Sequence, residues 1–474
     1  MAHAHPNLNL GRVLIAGAGV TGKSAGKALA PLCDAMITDA NSTALHKAAE
    51  EIRRHSADGA DGADGAEGAN ITPIAPEEID WEQVDLVVTS PGWAPNSPLL
   101  VEAAAHGVEV IGDVELAWRL DQAEVFGPRR TWIAITGTNG KSTTTAMLET
   151  MLQAGGLKAQ AVGNIGVAVL DAVVGTQRID VLATELSSFQ LHWTNTFVPD
   201  VGVFLNVAED HLDWHGSFDA YAQDKAKVWK APIAIAGVDD PTVAAMAAQA
   251  PKAITAFTLA TPESGQFGVA GGNLVDGQGR VIAPAEGIDP AGPAGVLDAL
   301  AASAAALAVG VEHAAIAQAL STFRVAQHRG QTVGSARGIV AIDNSKATNP
   351  HAADSALAGF ESVIWVAGGQ LKGADVAPLV RGHAHRFKAV ALLGQDRELF
   401  AQAISAHAPQ ARLMLTEQTE PGAAMDEVVA WAVAQADPGD AIVLAPAAAS
   451  LDMYSGMGQR GDMFAEAIAR ELED

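Results

Sequence analysis

The amino-acid sequence predicts an α/β protein of three domains, each built on a mainly parallel β-sheet. Strand-like apolar runs alternate with helix-like segments along most of the chain, which is typical of parallel sheets. Several runs end in glycine-rich loops, where open α/β sheets bind ligands. The length of 474 residues fits about three domains of ~150 residues. The predicted domains span residues 1–112, 113–325 and 326–474.

The composition indicates a folded, acidic protein. Hydrophobic residues make up 49% of the chain and its mean hydropathy is +0.16. The net charge of -26 repels polyanions, so nucleic acid is not an expected partner. No apolar run reaches the ~18–20 residues of a membrane span and no signal-peptide pattern is evident, so a cytoplasmic location is expected. The single cysteine, Cys33, excludes an internal disulfide.

The first domain opens with a Rossmann-like pattern. A strand-like run at 12–16 leads into Gly-Ala-Gly-Val-Thr-Gly at 17–22, a helix-like segment at 23–32 and a short strand ending at Asp39. In a dinucleotide fold this acid binds a ribose hydroxyl. The same loop can hold another phosphate or serve only as a tight turn. The residues alone leave NAD, another nucleotide and a structural turn open.

Two stretches of the first half have other expected roles. Residues 56–69 repeat Ala-Asp-Gly or Ala-Glu-Gly and contain no apolar residue larger than alanine, so a flexible surface insertion is expected there. Strands are predicted at 84–88 and 108–111. The charged stretch 121–130 is expected to separate the first domain from the second.

The second domain begins with a phosphate-binding loop. An apolar strand at 133–136 is followed by Gly-Thr-Asn-Gly-Lys-Ser-Thr at 137–143 and a helix-compatible segment at 146–152. Backbone N–H groups would hold phosphates, Lys141 would add charge, and Ser142 or Thr143 would ligate Mg²⁺. The loop is shorter than the common pattern, whose first glycine would fall at Ile135. The sequence predicts a P-loop ATPase-type domain with ATP-driven chemistry.

Further polar residues follow predicted strands of this domain. Asn164 lies in a glycine-flanked loop, Glu185 follows a strand ending at 184, and His211 follows a strand at 201–207. Carboxyl ends of parallel strands are ligand sites. His211 and His215 could also form a zinc pair, but the sequence supplies no thiolate ligand and the nearby phosphate loop favours Mg²⁺ with oxygen ligands. His215 and Asp213 are expected to lie in a solvated loop.

The last third predicts a second Rossmann-like domain after two alanine-rich helices at 294–310 and 314–322. Its apolar strands fall at 338–342, 363–367, 389–393, 413–415 and 441–444. Lys346 and Lys372 lie in loops that follow two of these strands. A single lysine is usually a surface residue, but two lysines in such loops, facing the predicted cleft, are candidate site residues.

Together, these motifs resemble the Mur ligase family, most closely its members that add D-glutamate, and the resemblance covers nearly the whole chain. The resemblance rests on the motifs at residues 19–22, 90–92, 112–116, 137–143, 163–166, 185–191, 205–213, 343–349 and 450–452. The shortened phosphate loop is the family's form. The resemblance implies a UDP-substrate-binding domain, an ATP-binding catalytic domain and an amino-acid-binding domain, and it makes NAD a minor alternative.

The implied activity is an ATP-dependent ligation in peptidoglycan precursor synthesis. D-glutamate would join UDP-N-acetylmuramoyl-L-alanine through an acyl phosphate, with two Mg²⁺ sites and a carbamylated Lys225. The implied catalytic residues are Lys141, Glu185, His211 and Lys225, and the implied metal ligands are Ser142, Glu185, His211 and Lys225. The protein is expected to act as a monomer.

The resemblance also implies three sets of binding residues. ATP would contact Gly137, Thr138, Asn139, Gly140, Lys141, Ser142, Thr143, Arg329 and Asn344. The UDP substrate would contact Val20, Thr21, Asp39, Ser90, Gly92, Asn164, Ser187 and Gln190. D-glutamate would contact Lys346, Thr348, Lys372, Ser450 and Met457.

Three positions depart from the family pattern. Ala294-Gly295 replaces the His-Asn pair beside the adenine, Asn344 replaces an aspartate at the ribose, and Met457 replaces an aromatic residue near D-glutamate. A lost hydrogen bond costs about 0.5–1.5 kcal/mol, so an active enzyme is still expected. The alternatives are a ligase for another amino acid, a nucleotide-binding regulator and an NAD oxidoreductase.

Overall fold

The computed structural model describes residues 8, 10–58 and 71–472, and of 56–58 only the backbone. The strands are β1 Val13–Ala16, β2 Ala35–Thr38, β3 Ile71–Pro73, β4 Leu86–Thr89, β5 Glu109–Gly112, β6 Thr131–Thr136, β7 Ala159–Gly163, β8 Val181–Glu185, β9 Val201–Phe204, β10 Ile233–Gly237, β11 Thr255–Phe257, β12 Gly268–Ala270, β13 Asn273–Val275, β14 Val281–Pro284, β15 Gln331–Ala336, β16 Ile339–Asp343, β17 Val363–Gly368, β18 Phe387–Leu393, β19 Arg412–Leu415 and β20 Ala441–Leu444.

The α-helices alternate with these strands over most of the chain. They are α1 Val20–Leu29, α2 Ser42–Asp58, α3 Pro98–Ala105, α4 Asp113–Gln122, α5 Lys141–Ala154, α6 Val169–Val174, α7 Ser188–His192, α8 Leu212–His215, α9 Phe218–Ala226, α10 Pro241–Ala248, α11 Pro293–Ala308, α12 His313–Thr322, α13 Pro350–Leu357, α14 Ala377–His383, α15 Arg397–His407, α16 Pro421–Gln435 and α17 Met457–Glu471.

The N-terminal sheet has the predicted Rossmann-like, all-parallel arrangement. Its strand order is β3-β2-β1-β4-β5, and β1 pairs in parallel with β2 and β4. All four residues of β1 are buried, as expected for a strand covered on both faces. Helix α1 starts at Val20, three residues earlier than predicted. A Cβ on Gly22 would lie 1.8 Å from the Gly17 carbonyl oxygen, so only glycine permits this close turn.

The central sheet places the phosphate loop in the middle of six parallel strands. Its order is β11-β10-β9-β6-β8-β7, and β6 pairs with both β8 and β9. The loop after β6, the end of β8 and the loop after β9 therefore meet at one edge. Strands β10 and β11 extend this sheet beyond the elements that the sequence patterns predict.

The C-terminal half contains a three-stranded antiparallel sheet, β12-β13-β14, and a six-stranded sheet of order β15-β16-β20-β17-β18-β19. The five predicted strands of the larger sheet are present, and all pair in parallel. Strand β15 is an additional, antiparallel edge strand. The α/β prediction holds, although the apolar pattern did not predict β12 to β15 because these segments are short or half-exposed.

The chain forms two compact units. The first comprises residues 1–257, 265–267 and 301–316, and the second comprises 258–264, 268–300 and 317–474. The boundaries of three functional domains remain predictions. The end of the repeat stretch, from 59 onward, lies outside the described residues, whereas 56–58 complete α2. In the described part of the chain, no helix has both the length and the hydropathy to cross a bilayer.

The charged stretch 121–130, which is expected to separate the first domain from the second, has its two ends joined by a buried ion pair. Arg130 Nη1 lies 2.6 Å from Asp121 Oδ1, and the side chains are 1% and 0% exposed. Asp121 Oδ2 also accepts hydrogen bonds from the Arg130 backbone N–H and from Trp132 Nε1. Charges are buried only when they are paired in this way. The stretch therefore fixes the end of α4 against the start of β6.

Replacing Arg130 with methionine is expected to lower the free energy of unfolding by about 3–5 kcal/mol, because Asp121 would remain as an uncompensated buried charge. Urea denaturation of the purified variant measures this change. Replacing the exposed Arg54, which forms only a solvated pair with Glu50, is the control and should change stability by under about 1 kcal/mol. Equal stability of the two variants would contradict the assignment.

Candidate active site

The phosphate loop is held in a fixed shape by the loop that follows β9. The backbone N–H of Asn139 donates to Asn206 Oδ1 at 2.9 Å, and Asn206 Nδ2 donates to the Asn139 carbonyl at 3.1 Å. Thr138 N–H donates to the Asn206 carbonyl. Gly140 has φ +82° and caps the N-terminus of α5. The loop therefore presents a helix N-terminus at the sheet edge, which is an anion-binding arrangement.

Two lysines converge on one carbonyl of this loop. Lys141 Nζ donates to the carbonyl oxygens of Gly137 and Thr138, both at 2.9 Å. Lys225 Nζ, from α9, donates to the same Gly137 oxygen at 2.8 Å. The sequence places these lysines 84 positions apart, and folding brings them to a shared acceptor. Folding thus places Lys141 beside the helix N-terminus, where its charge would stabilise an anionic phosphate.

Lys225 is 2% exposed and lies in an unusual environment for an ammonium group. Its nitrogen is 4.7 Å from the centre of the Tyr221 ring. Burial, and secondarily the charge of Lys141, hold the pKa of Lys225 well below its ordinary value, against the opposing charges of Asp210, Glu185 and Asp224. Lysines with such pKa values are suited to react as neutral amines.

Glu185 ends β8 beside these lysines and has one carboxylate oxygen with no partner. The residue is 1% exposed. Oε1 accepts a hydrogen bond from Asn164 Nδ2 at 2.8 Å, whereas no described residue donates to the buried Oε2. A buried, unpartnered carboxylate oxygen is energetically costly unless a cation binds it. Glu185 thus fits a hard divalent cation, and Asn164 orients it.

His211 is held by its backbone and by a tilted ring contact with Phe189. It caps the N-terminus of α8 in the left-handed region, with φ +54°, a conformation that is uncommon for a non-glycine residue. Its ring centre lies 4.6 Å from that of Phe189. The side chain is 45% exposed, and Nδ1 is 3.5 Å from Asp210 Oδ1. A half-exposed imidazole with its orientation set by packing can serve as a ligand.

His215 is not in a solvated loop as expected: its side chain is 0% exposed. Nδ1 lies 3.1 Å from Asp224 Oδ2 and Nε2 lies 3.0 Å from Ser188 Oγ. Asp224 also contacts His192 Nδ1 at 2.8 Å and Lys227 Nζ at 2.9 Å. Because both His215 nitrogens are engaged in this network, it is not paired with His211 for zinc. Asp213, in contrast, is exposed as expected.

In the N-terminal sheet, the glycine loop is closed by a carboxylate of the chain itself. Asp39 Oδ2 accepts from the Ala18 N–H and Oδ1 accepts from the Asn41 N–H, both at 2.8 Å. The Ala18 N–H is therefore occupied by protein, which weakens the dinucleotide alternative. Val20 is 78% exposed at the start of α1, and the predicted Thr21, Ser90 and Gly92 also lie at this end of the sheet.

Ser187 and Gln190 form a helix cap. Ser187 Oγ accepts from the Gln190 N–H, and Gln190 Oε1 accepts from the Ser187 N–H, a reciprocal capping box on α7. Gln190 also hydrogen-bonds Asp113, whose pKa burial raises to about 6. Ser187 and Gln190, which are predicted to contact the UDP substrate, therefore form hydrogen bonds within the protein in this structure.

The predicted D-glutamate residues lie in the second compact unit, at the carboxyl ends of neighbouring strands. Lys346 and Thr348 follow β16, Lys372 follows β17, Ser450 follows β20, and Met457 begins α17. Burial, and secondarily the charge of Arg329, lower the pKa of Lys346. Met457 is 41% exposed. Since β16, β20 and β17 are adjacent in the sheet, the loops that carry Lys346, Thr348, Lys372 and Ser450 follow neighbouring strands at one edge.

Arg329 and Asn344, the other predicted ATP residues, also lie in the second unit. Asp343, which precedes Asn344, cannot replace the missing aspartate. Its Oδ2 lies 2.6 Å from His328 Nδ1, its Oδ1 accepts from the Ser345 N–H, and it is fully buried. Both oxygens of the Asp343 carboxylate therefore have hydrogen-bond partners within the protein.

The glycine at the departure Ala294-Gly295 is dictated by a close backbone approach. A Cβ on Gly295 would lie 1.8 Å from the Pro290 carbonyl oxygen, so the asparagine usual at this position does not fit this backbone.

Replacing Gly295 with asparagine is expected to destabilise the protein by about 1–3 kcal/mol through overpacking, and thereby not to improve ATP affinity. Thermal unfolding and nucleotide titration of this variant measure both effects. Ala294→His, at the exposed neighbouring position, is the control and should retain stability. Tighter ATP binding with unchanged stability would contradict the steric explanation.

Comparisons with known proteins identify the relatives of this chain. The family descriptions "Mur ligase middle domain" and "Mur ligase, glutamate ligase domain" match residues 135–272 and 328–448. The chain is 57% identical to UDP-N-acetylmuramoylalanine–D-glutamate ligase of Corynebacterium diphtheriae, covering 98% of this chain and 97% of that one. It is 46% identical to the Mycolicibacterium smegmatis enzyme of the same name, covering 96% of each.

A solved structure shows the same fold at low identity. The UDP-N-acetylmuramate–alanine ligase of Thermotoga maritima has a TM-score of 0.54 at 15% identity, covering 98% of this chain and 100% of that one. The predicted family is confirmed, since the relatives match over nearly the whole length. The chain belongs to the Mur ligase family.

Proposed function

We propose that this protein joins D-glutamate to UDP-N-acetylmuramoyl-L-alanine with cleavage of ATP to ADP and phosphate, a step of peptidoglycan precursor synthesis. The observation that carries the mechanism is the group at the edge of the central sheet. Lys141 and Lys225 share one loop carbonyl there, and Glu185 holds an unpartnered buried oxygen beside them. The names of close relatives over the full length support the substrates.

The first step is phosphoryl transfer to a carboxylate. An oxygen of the substrate carboxylate bonds to the γ-phosphorus while the bond to the β,γ-bridging oxygen breaks, giving an acyl phosphate and ADP. Lys141 leaves its carbonyl partners and neutralises charge on the transferring group, and the N–H groups at the start of α5 hold the phosphates. The protein supplies position and charge rather than covalent chemistry.

The residues fit magnesium ions at this edge. Ser142, Glu185, His211 and a carbamylated Lys225 would hold them, and bound Mg²⁺ would offset phosphate charge. Carbamylation joins the neutral Lys225 amine to CO₂ with loss of a proton, which converts a cation into an oxygen ligand. The buried position of Lys225 and the lowered pKa of its amine support this modification.

The second step forms the amide bond. The D-glutamate amine attacks the acyl carbonyl carbon, the carbon–oxygen bond to phosphate breaks, and the amine loses a proton. Lys346, Thr348, Lys372, Ser450 and Met457 would hold D-glutamate, since two lysines match its two carboxylates. The residues predicted for the UDP substrate, the three domain boundaries, a cytoplasmic location and a monomeric state belong to the same proposal.

The decisive experiment measures phosphate release from ATP with UDP-N-acetylmuramoyl-L-alanine and Mg²⁺ present. Addition of D-glutamate is expected to start turnover, whereas L-glutamate, D-alanine and L-lysine are expected to leave it at background. Turnover with one of the other amino acids would assign a different ligation. Absence of turnover with all four would instead support a nucleotide-binding regulator.

A further inference from the structure

Arg460 is a fully buried cation at one edge of the C-terminal sheet. The residues predicted to bind D-glutamate lie at the same edge. Arg460 lies in the first turn of α17 and is 0% exposed. Burial lowers the pKa of its guanidinium to about 10. In the described part of the chain it forms no ion pair with a carboxylate. An arginine is rarely fully buried without one, so its hydrogen-bond partners must justify its position.

The guanidinium bonds to the ends of three strands. Nε donates to Ser345 Oγ at 3.0 Å and Nη2 donates to the Ser345 carbonyl at 2.9 Å. Nη1 donates to the carbonyls of Gly368 at 3.3 Å and Ala448 at 3.2 Å. Ser345 follows β16, Gly368 ends β17 and Ala448 follows β20. These strands are neighbours, so one planar group joins three adjacent loops.

A residue that is predicted to bind D-glutamate lies in each of these loops, a short distance further along the chain. Lys346 follows Ser345 directly, Lys372 is four residues after Gly368, and Ser450 is two residues after Ala448. The guanidinium is therefore hydrogen-bonded to the start of each loop. The side chains that would contact the amino acid extend from the same short segments.

The fourth element of the site is tied in through Ser345. Its hydroxyl accepts from Arg460 Nε and donates to the Met457 carbonyl at 2.7 Å. The first residue of α17 is thereby linked to the loop after β16. Glycine at 369 leaves room for this arrangement, since a Cβ there would be 3.3 Å from Arg460 Nη1 and 2.1 Å from the Ala449 carbonyl oxygen.

We propose that Arg460 is a positioning residue for the amino-acid site, setting the mutual spacing of the loops that carry Lys346, Lys372 and Ser450. This inference rests on the proposed function, because it concerns the affinity for D-glutamate. A loop displacement weakens an oriented, two-carboxylate contact much more than it weakens contacts made elsewhere. Loss of Arg460 therefore raises the KM for D-glutamate selectively.

The test compares Arg460→Lys, Arg460→Ala and Ser345→Ala with the unaltered enzyme in D-glutamate-dependent phosphate release. Lysine cannot reproduce the planar set of donors, so Arg460→Lys is expected to raise the KM for D-glutamate about 10- to 100-fold through several lost hydrogen bonds. The KM for ATP is expected to change less than about threefold. Ser345→Ala, which removes one partner, is expected to raise the D-glutamate KM by about three- to tenfold.

Two controls separate positioning from general destabilisation. Arg130→Lys alters another buried arginine, in the first compact unit, and is expected to lower stability without raising the D-glutamate KM. Guanidinium ion added at millimolar concentration to Arg460→Ala is expected to lower its D-glutamate KM, because the small cation can occupy the vacated space. If Arg460→Ala does not fold, Arg460→Lys and Ser345→Ala decide the question.

An unchanged D-glutamate KM in folded Arg460→Lys would overturn the inference while leaving the proposed function intact. An equal rise in the KM of all three substrates would also overturn it, since that pattern indicates a general structural role. If the unaltered enzyme shows no D-glutamate-dependent release, both the proposed function and this inference fail.

Discussion

Replacing Lys141 with methionine is expected to lower D-glutamate-dependent phosphate release by about 100- to 1000-fold, the usual effect of removing one charge-stabilising donor. Methionine keeps much of the side-chain volume, so the loop geometry fixed by Asn206 should persist. The loss is expected mainly in kcat, because the charge acts on the phosphoryl group as it transfers. Initial rates at saturating substrates measure this effect.

The matched control is Lys158→Met. Lys158 is exposed and precedes β7, so this change removes the same charge at the opposite, amino-terminal edge of the central sheet. Its activity is expected to remain within about twofold, as is usual for surface substitutions. If both variants kept full activity, or if both lost it equally, Lys141 would not be the phosphoryl-stabilising group.

Removal of CO₂ from the enzyme is expected to abolish most of its activity if Lys225 acts as a carbamate. Lys225→Arg places a permanent positive charge at this position and cannot form this carbamate, so at least a ~100-fold loss is expected, as for loss of a metal ligand. Phosphate release measured in CO₂-depleted buffer, and again after adding bicarbonate, tests the unaltered enzyme. Bicarbonate should restore that enzyme and leave Lys225→Arg inactive.

Two outcomes would remove the carbamate from the mechanism. One is full activity of Lys225→Arg, which would show that only a cation is needed at this position. The other is a rate in the unaltered enzyme that does not depend on CO₂. Either result would leave Lys141 and Glu185 in their assigned roles, because their geometry does not depend on the modification.

The fold and the central site could be predicted because their signals are local in sequence. The strand, the glycine loop and Lys141 lie within a dozen residues of sequence, and the structure shows the predicted strand, loop and helix. Glu185 and His211 were predicted because polar residues directly follow apolar strands. Lys225 had no such signal, and only the family resemblance singled out this helix lysine.

The missed features depend on partners that are distant along the chain. Asn206 binds the phosphate loop across 67 residues, and Arg460 reaches Ser345 across 115. His215 was expected to be solvated because its neighbours in sequence are polar. In the structure, both of its ring nitrogens are hydrogen-bonded, one to Asp224 and one to Ser188. Spacing patterns record which residues share an element, but they do not record which elements will pack together.

The shared acceptor at Gly137 has a consequence for how a nucleotide would enter the site. The Lys141 side chain is already immobilised there, so its rotational freedom is lost during folding and not during binding. An incoming phosphate replaces a carbonyl oxygen as the partner of Lys141 and does not have to order a flexible side chain. Nucleotide binding at this loop is therefore expected to carry a small entropic penalty, and its strength to depend on how well phosphate replaces that carbonyl.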